Sequence, residues 1–278
     1  MTALQEAVSG ILPIAKSTIS GSEVGWDLPG HGVAYSDCGT LRFRGCLNVE
    51  AHHQGLDREQ EGRVYVNAYR RSCARKVCPT CYESWAGLEA GRVEHRLKHY
   101  RGRWRKAVHF SVNPSPELWG TPFEKMRSLA IRVSKMVGIV GGSMIYHPFR
   151  ENRSKTWFFS PHFHVIGYGW HRGFKVSGWV VVNHGVRKSV HATVMYQLSH
   201  AGVHEKYHTT TWFGELSYNK LKVPLLVVEK PMCPLCGSEL VPLIYVGEGT
   251  IPPPVDEGDY FLSAEDWTEG AVGLYLRR

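Results

Sequence analysis

Ser160-Pro161-His162-Phe163-His164-Val165-Ile166 decides the reading of this chain. The aromatic and β-branched residues around it predict a strand from Trp157 to Gly167. Side chains on a strand alternate between faces. His162 and His164 therefore share one face, and Phe163 and Val165 take the other. Two imidazoles held at that spacing are half of a divalent-metal site. They leave coordination positions open, as a catalytic metal requires. In a chain with 15 histidines a bare His-x-His is commonly an ordinary strand pair, so its neighbours decide its weight.

Ala107 to Val112 reads as a strand. Thr121 as N-cap, Pro122 at the first helical position and Glu124 closing a capping box start a helix from Pro122 to Val137. Its apolar stripe is Met126, Leu129, Ala130, Val133 and Val137, and Gly138 ends it. A strand from Ile139 to His147 precedes the histidine strand. Arg187 to Val203 reads as a helix with Ser189 as N-cap, Gly202 as stop, and Val190, Val194, Leu198 and Ala201 turned inward. Tyr196 and His200, four apart, share a face off that stripe. Tyr207 to Phe213 reads as a strand, with a small extra strand at Gly178 to Val182. The order β-α-β-β-α-β predicts an α+β fold with a ferredoxin-like (split βαβ) antiparallel sheet. Its first and third strands are central neighbours, which sets the histidine pair mid-sheet beneath the tyrosine helix.

On these residues the chain resembles the HUH endonucleases, specifically rolling-circle replication initiators. His162-Phe163-His164 matches the family's His-hydrophobic-His motif, and Tyr196 matches its nucleophile on a downstream helix. His109-Phe110-Ser111-Val112 sits where the family carries a short first-strand motif. SPHFHVIGYGW and YQLSHAG look most like initiators of archaeal plasmids or viruses. The resemblance covers roughly residues 40 to 215. Many relatives carry a lysine three or four residues after the tyrosine; Ser199 and His200 stand there in this chain. The resemblance implies metal-dependent nicking and joining of single-stranded or hairpin DNA at an origin, through a 5′-phosphotyrosine. It also implies Mn2+ or Mg2+ as catalytic metal, Tyr196 and His200 as catalytic residues, and a cytoplasmic setting in the host of a plasmid or virus.

Imidazole donors suit manganese better than magnesium. The third ligand is open between His147, His109 and Glu151. A regular hairpin places His147 several residues short of His162, unless the Arg150 to Thr156 stretch relaxes the register. No GxxxxGK[ST] loop is present, so unwinding and synthesis fall to a partner helicase and polymerase. The same chemistry also fits a transposase. A relaxase is disfavoured, because Ile166 stands where a third histidine would follow His164. In a third reading the chain is a non-catalytic, zinc-containing nucleic-acid-binding protein.

The seven cysteines form two groups. Cys73, Cys78 and Cys81 have zinc spacing, with Cys46 as fourth ligand and Cys38 as the alternative. Cys233-Pro-Leu-Cys236 is a separate knuckle that recruits Cys38, a histidine or nothing. The N-terminus lacks a charged start and an apolar run of signal-peptide type, so a reducing compartment and Zn2+ are favoured over disulfides.

The formal net charge is +8. Basic residues gather at Arg92, Arg96, Lys98, Arg101, Arg103, Arg105 and Lys106, with Tyr100 and Trp104 interleaved. That pattern predicts phosphate contacts and base stacking. A helix from Glu83 to Tyr100 buries Ala86, Ala90, Val93 and Leu97 and leaves its arginines wet. No apolar run reaches the ~18 residues of a membrane span. The linear division is a weakly ordered segment 1–37, a zinc-binding and basic region 38–104, a catalytic core 105–215 and a C-terminal extension 216–278. Within the extension, Val223 to Val228 and Leu240 to Val246 are strand-like, and Ile251 to Pro254 is a stiff linker.

Overall fold

The computed structural model describes residues 25–52, 63–169, 174–226, 230–249 and 254–270. Residues 1–24 of the N-terminal segment, 227–228 of the run that starts at Val223 and 251–253 of the proline linker lie outside these. In chain order the described elements are β1 (Leu41–Cys46), β2 (Arg63–Arg70), α1 (Tyr82–Lys98), β3 (Val108–Pro114), α2 (Phe123–Met136), β4 (Ile139–Glu151) and β5 (Trp157–Gly169). There follow β6 (Phe174–Val176), β7 (Trp179–Val186), α3 (Val190–Leu198), β8 (Thr210–Gly214), β9 (Val241–Tyr245), β10 (Gly258–Ser263) and β11 (Trp267–Glu269). No described helix is long and apolar enough to cross a membrane.

The chain packs as two units, each discontinuous in sequence: 1–34 with 74–226, and 35–73 with 227–278. The linear boundaries at 37, 104 and 215 therefore do not follow the packing. Strand pairing, rather than chain proximity, decides membership.

Unit 1 carries an antiparallel sheet in the order β6-β7-β3-β5-β4-β8. β3 and β5 are adjacent and central, as predicted. The edges differ from the ferredoxin-like arrangement. β8 pairs with β4, and the place beside β3 is taken by β7, the strand read as a small extra. Helices flank both faces. α2 packs Met126, Ala130 and Val133 on Phe110, Val112, Phe163 and Val165. α1 and α3 cover the other face, with Ala86, Ala90, Val93, Leu97, Val194 and Leu198 against Ile145, Ile166 and Tyr168. Every α1 stripe residue is buried as the spacing predicts.

Local signals held where they depend on one residue. Ser189 Oγ accepts from the Ala192 amide at 3.1 Å as the N-cap of α3. Gly138 follows α2 in the left-handed region, φ 96°, where a side chain would be strained. The capping box at Thr121 does not form. α2 begins at Phe123 without a side-chain cap, and Glu124 instead accepts from Tyr207 and Lys206.

Unit 2 is an antiparallel sheet in the order β10-β2-β1-β9-β11. Val64, Val66, Leu243 and Trp267 form its core. Leu240 to Val246 yields β9, and the acidic, aromatic tail supplies β10 and β11. Residues 223–226 form no strand.

Phe163 is fully buried and Phe158, on the same strand, is 44% exposed. Phe163→Ala costs roughly 3–5 kcal/mol in urea denaturation, by loss of transfer energy plus the cavity left behind. Phe158→Ala costs under about 1 kcal/mol.

Candidate metal centres and tyrosine site

β3, β5 and β4 turn one face toward α1 and α3. His162 and His164 project there as alternation dictates, and register pairs His147 with His162 and Ser111 with His164. Nitrogens of His147, His162 and His164 all lie within 4.8 Å of one another. The expectation that a hairpin leaves His147 short of His162 is wrong. β4 and β5 run on to Glu151 and Trp157, and this length sets the two histidines opposite each other. His109 sits behind His164 instead of joining the set, and Glu151 stands at the hairpin end.

The ring nitrogens are prepared for an ion. His162 Nδ1 donates to the Ser160 carbonyl at 2.8 Å, which leaves Nε2 free. His164 Nδ1 lies 2.8 Å from His109 Nε2, which is itself 2.9 Å from Gln197 Nε2. A proton on His164 Nδ1 leaves its Nε2 lone pair for a metal, with His109 fixing the tautomer. His147 is fully buried, and neither of its nitrogens has a hydrogen-bond partner. Two orphaned nitrogens on a buried ring are costly unless a ligand completes them. The donor set therefore fits a divalent ion.

The cluster is held neutral. Burial, then the Arg150 charge, lowers His162 to about 3. Burial, then His184 and Arg187, lowers His109 to about 3. Burial also holds His147 and His164 well below the ordinary imidazole value. Metals bind neutral imidazole, so at pH 7 protons do not compete.

α3 completes the site. His200 stands edge-on to His147, ring centroids 4.6 Å apart. Tyr196 lies 4.8 Å beyond His200 and is 70% exposed. The phenol thus reaches solvent beside the metal set. Burial lowers His200 below its usual value, so it carries no charge at pH 7.

Sequence reading missed Arg150 and His184. Arg150 Nη2 donates to Asn113 Oδ1 at 2.6 Å, on the histidine face. A β-bulge places an extra residue on β5 between Phe159 and His162, opposite His147 to Phe149. Simple alternation cannot reveal this. His184 stacks on His109 at 4.4 Å, with its Nε2 2.9 Å from Ser111 Oγ. Its signal was parity on β7, a strand predicted to stop short of it.

The basic stretch needs correction. Arg96 is buried. Its guanidinium donates to the Leu216 and Leu221 carbonyls at 2.8 and 2.7 Å and lies over the rings of Trp212 and Tyr218. Tyr100 is also buried, stacked on Tyr168 and donating to Glu215. Both are fastenings of the core and are unavailable to DNA. Arg92, Arg101, Arg103, Arg105 and Lys106 are exposed. The last four precede β3 at its Val108 end, which pairs with Gly167, the end away from His162.

In unit 2, Cys46, His52, Cys233 and Cys236 bring one ligand atom each to within 4.8 Å of the others. The expectation that Cys46 joins Cys73, Cys78 and Cys81 is thereby overturned. Antiparallel pairing of β1 with β9 sets Gly45 opposite Val241, next to the knuckle. The knuckle recruits a histidine, as one alternative held. His52 Nε2 lies 3.4 Å from Cys233 Sγ, and its Nδ1 faces the Arg63 carbonyl. The Ser238 hydroxyl lowers the Cys236 thiol to about 6, while burial pushes Cys46 up to about 11. Three sulfurs and one imidazole can hold a structural zinc.

Two outcomes follow from these sites. The metal-free protein binds fewer protons folded than unfolded below pH 6.5, because His162 and His109 titrate near 3 when folded. Its stability is full above pH 6.5 and falls toward pH 3. Each such histidine contributes about 1.4 kcal/mol per pH unit, and His162→Asn flattens the urea-midpoint profile. In elemental analysis Cys233→Ala removes one zinc equivalent per chain, with loss of thermal stability. Comparison with protein-family models, curated proteins and solved structures gives no match to this chain.

Proposed function

We propose that this chain is an HUH-type rolling-circle replication initiator, which nicks and rejoins single-stranded DNA through Tyr196. The observation that supports the reading is the exposed Tyr196 phenol, one imidazole away from three neutral histidines, two buried and one half-buried, whose nitrogens lie within 4.8 Å.

A Mn2+ or Mg2+ ion at His147, His162 and His164 would polarise the scissile phosphate as a Lewis acid. The donor set favours manganese. Tyr196 Oη attacks phosphorus, and the P–O3′ bond breaks. The products are a 5′-phosphotyrosine and a 3′ oxygen that takes a proton from solvent to become a hydroxyl, so the diester bond is conserved for rejoining. His200, neutral at pH 7, takes the phenolic proton. Arg150 offsets charge that develops on the phosphate oxygens. Helicase and polymerase functions come from partners.

The test is a denaturing gel with Mn2+ and labelled single-stranded stem-loop DNA. Wild-type protein carries label covalently, and Tyr196→Phe carries none while still binding DNA. Cleavage without adduct would replace Tyr196 by activated water as the nucleophile. No cleavage on any stem-loop would favour a zinc-containing binding protein. Cleavage at transposon ends instead of a stem-loop origin would identify a transposase.

A further inference from the structure

Unit 1 also contains a groove of about 1030 Å3 along β8. Among the described residues β8 is the last strand on its side of the sheet and pairs with β4 alone. α1 contributes Trp85 and Arg92 to one wall, α2 contributes Arg127 to the other, and Tyr218 stands at the side. Among the described residues Lys76, Arg92 and Arg127 line the groove, with Arg96 buried behind them, against the carboxylate of Glu89, which pairs with Arg92. The Arg92 side chain is 65% exposed and Tyr218 is 66% exposed. Thr209, on the floor, holds a buried hydroxyl with no hydrogen-bond partner. Register sets Thr210 opposite Ile145, two residues before His147 on β4. The strand that floors the groove is thus hydrogen-bonded to the strand that carries His147.

We propose that this groove binds single-stranded DNA flanking the phosphate that is cut, which rests on the nicking reading above. An enzyme that rejoins what it cuts must keep the free strand within reach. Cations beside exposed aromatic rings bind a single strand without reading its sequence, through counterion release and stacking. The same charge would attract an acidic peptide. Tyr218 and Trp85 favour bases, because a planar ring on the strand is what they can stack against.

The test uses full-length protein and fluorescein-labelled oligodeoxythymidine in anisotropy titrations at several salt concentrations, without metal. Arg92→Ala and Arg127→Ala each flatten the slope of log affinity against log salt by about 0.7. Tyr218→Ala weakens binding about tenfold. Lys135→Ala, on α2 outside the groove, is the control. Groove variants that match the control in affinity and slope overturn the proposal. So does retained DNA affinity with lost binding of a polyglutamate peptide. Because these titrations need no cleavage, a wild type that binds through the groove and forms no adduct overturns only the nicking reading. A wild type that forms the adduct with groove variants unchanged overturns only the groove.

Discussion

Strand β5, paired along both edges with β3 and β4, is the constraint on which unit 1 depends. A strand bonded on both sides cannot slip by one residue without turning Phe163 and Val165 out of one core and both histidines into it. The apolar side of β5 thus fixes the polar side. Packing of Phe163 under α2 holds His162 and His164 in position, and His147 is brought opposite by the same ladder. Stability and metal geometry are two faces of one strand.

Burial sets the electrostatics. Six imidazoles, His109, His147, His162, His164, His184 and His200, gather on the face under and beside α3, and burial is the leading cause of the lowered value in each. A set of protonated rings at this density would repel and unfold the site, so the neutral state is the one the fold selects. Arg150 is a permanent positive charge that acts on His162. It marks the position where an anion gains most.

Much of this was legible in the residues. Period-two alternation at 160–166 gave the histidine face, helical spacing gave the buried stripe of α1, and a single serine gave the start of α3. These signals are local, and each depends on a few adjacent residues. What escaped was set by distant pairing. Cys46 meets the knuckle only because β1 pairs with β9. Arg150 meets Asn113, on a strand that β4 does not pair with. Arg96 looked wet because its helix-face position lies beside the stripe, yet two carbonyls of the 216–221 segment claim it. The sheet order departed from expectation because the residues of β7 and β8 do not encode which edge each will join.

The two units are interleaved along the chain, and this has a consequence for synthesis on the ribosome. β1 and β2 emerge early, but their partners β9, β10 and β11 come only after the whole of unit 1 has been made. Until then the hairpin of β1 and β2 offers open edges, and Cys46 and His52 wait as unmatched ligands. Closing so long a loop adds only logarithmically to the entropy cost, so the delay is one of timing more than of energy. An early zinc ion would find two ligands of its final four. Unit 1 can fold while the first half of its neighbour is still unpaired, and the arrival of Cys233 and Cys236 closes both the sheet and the metal site in one late step.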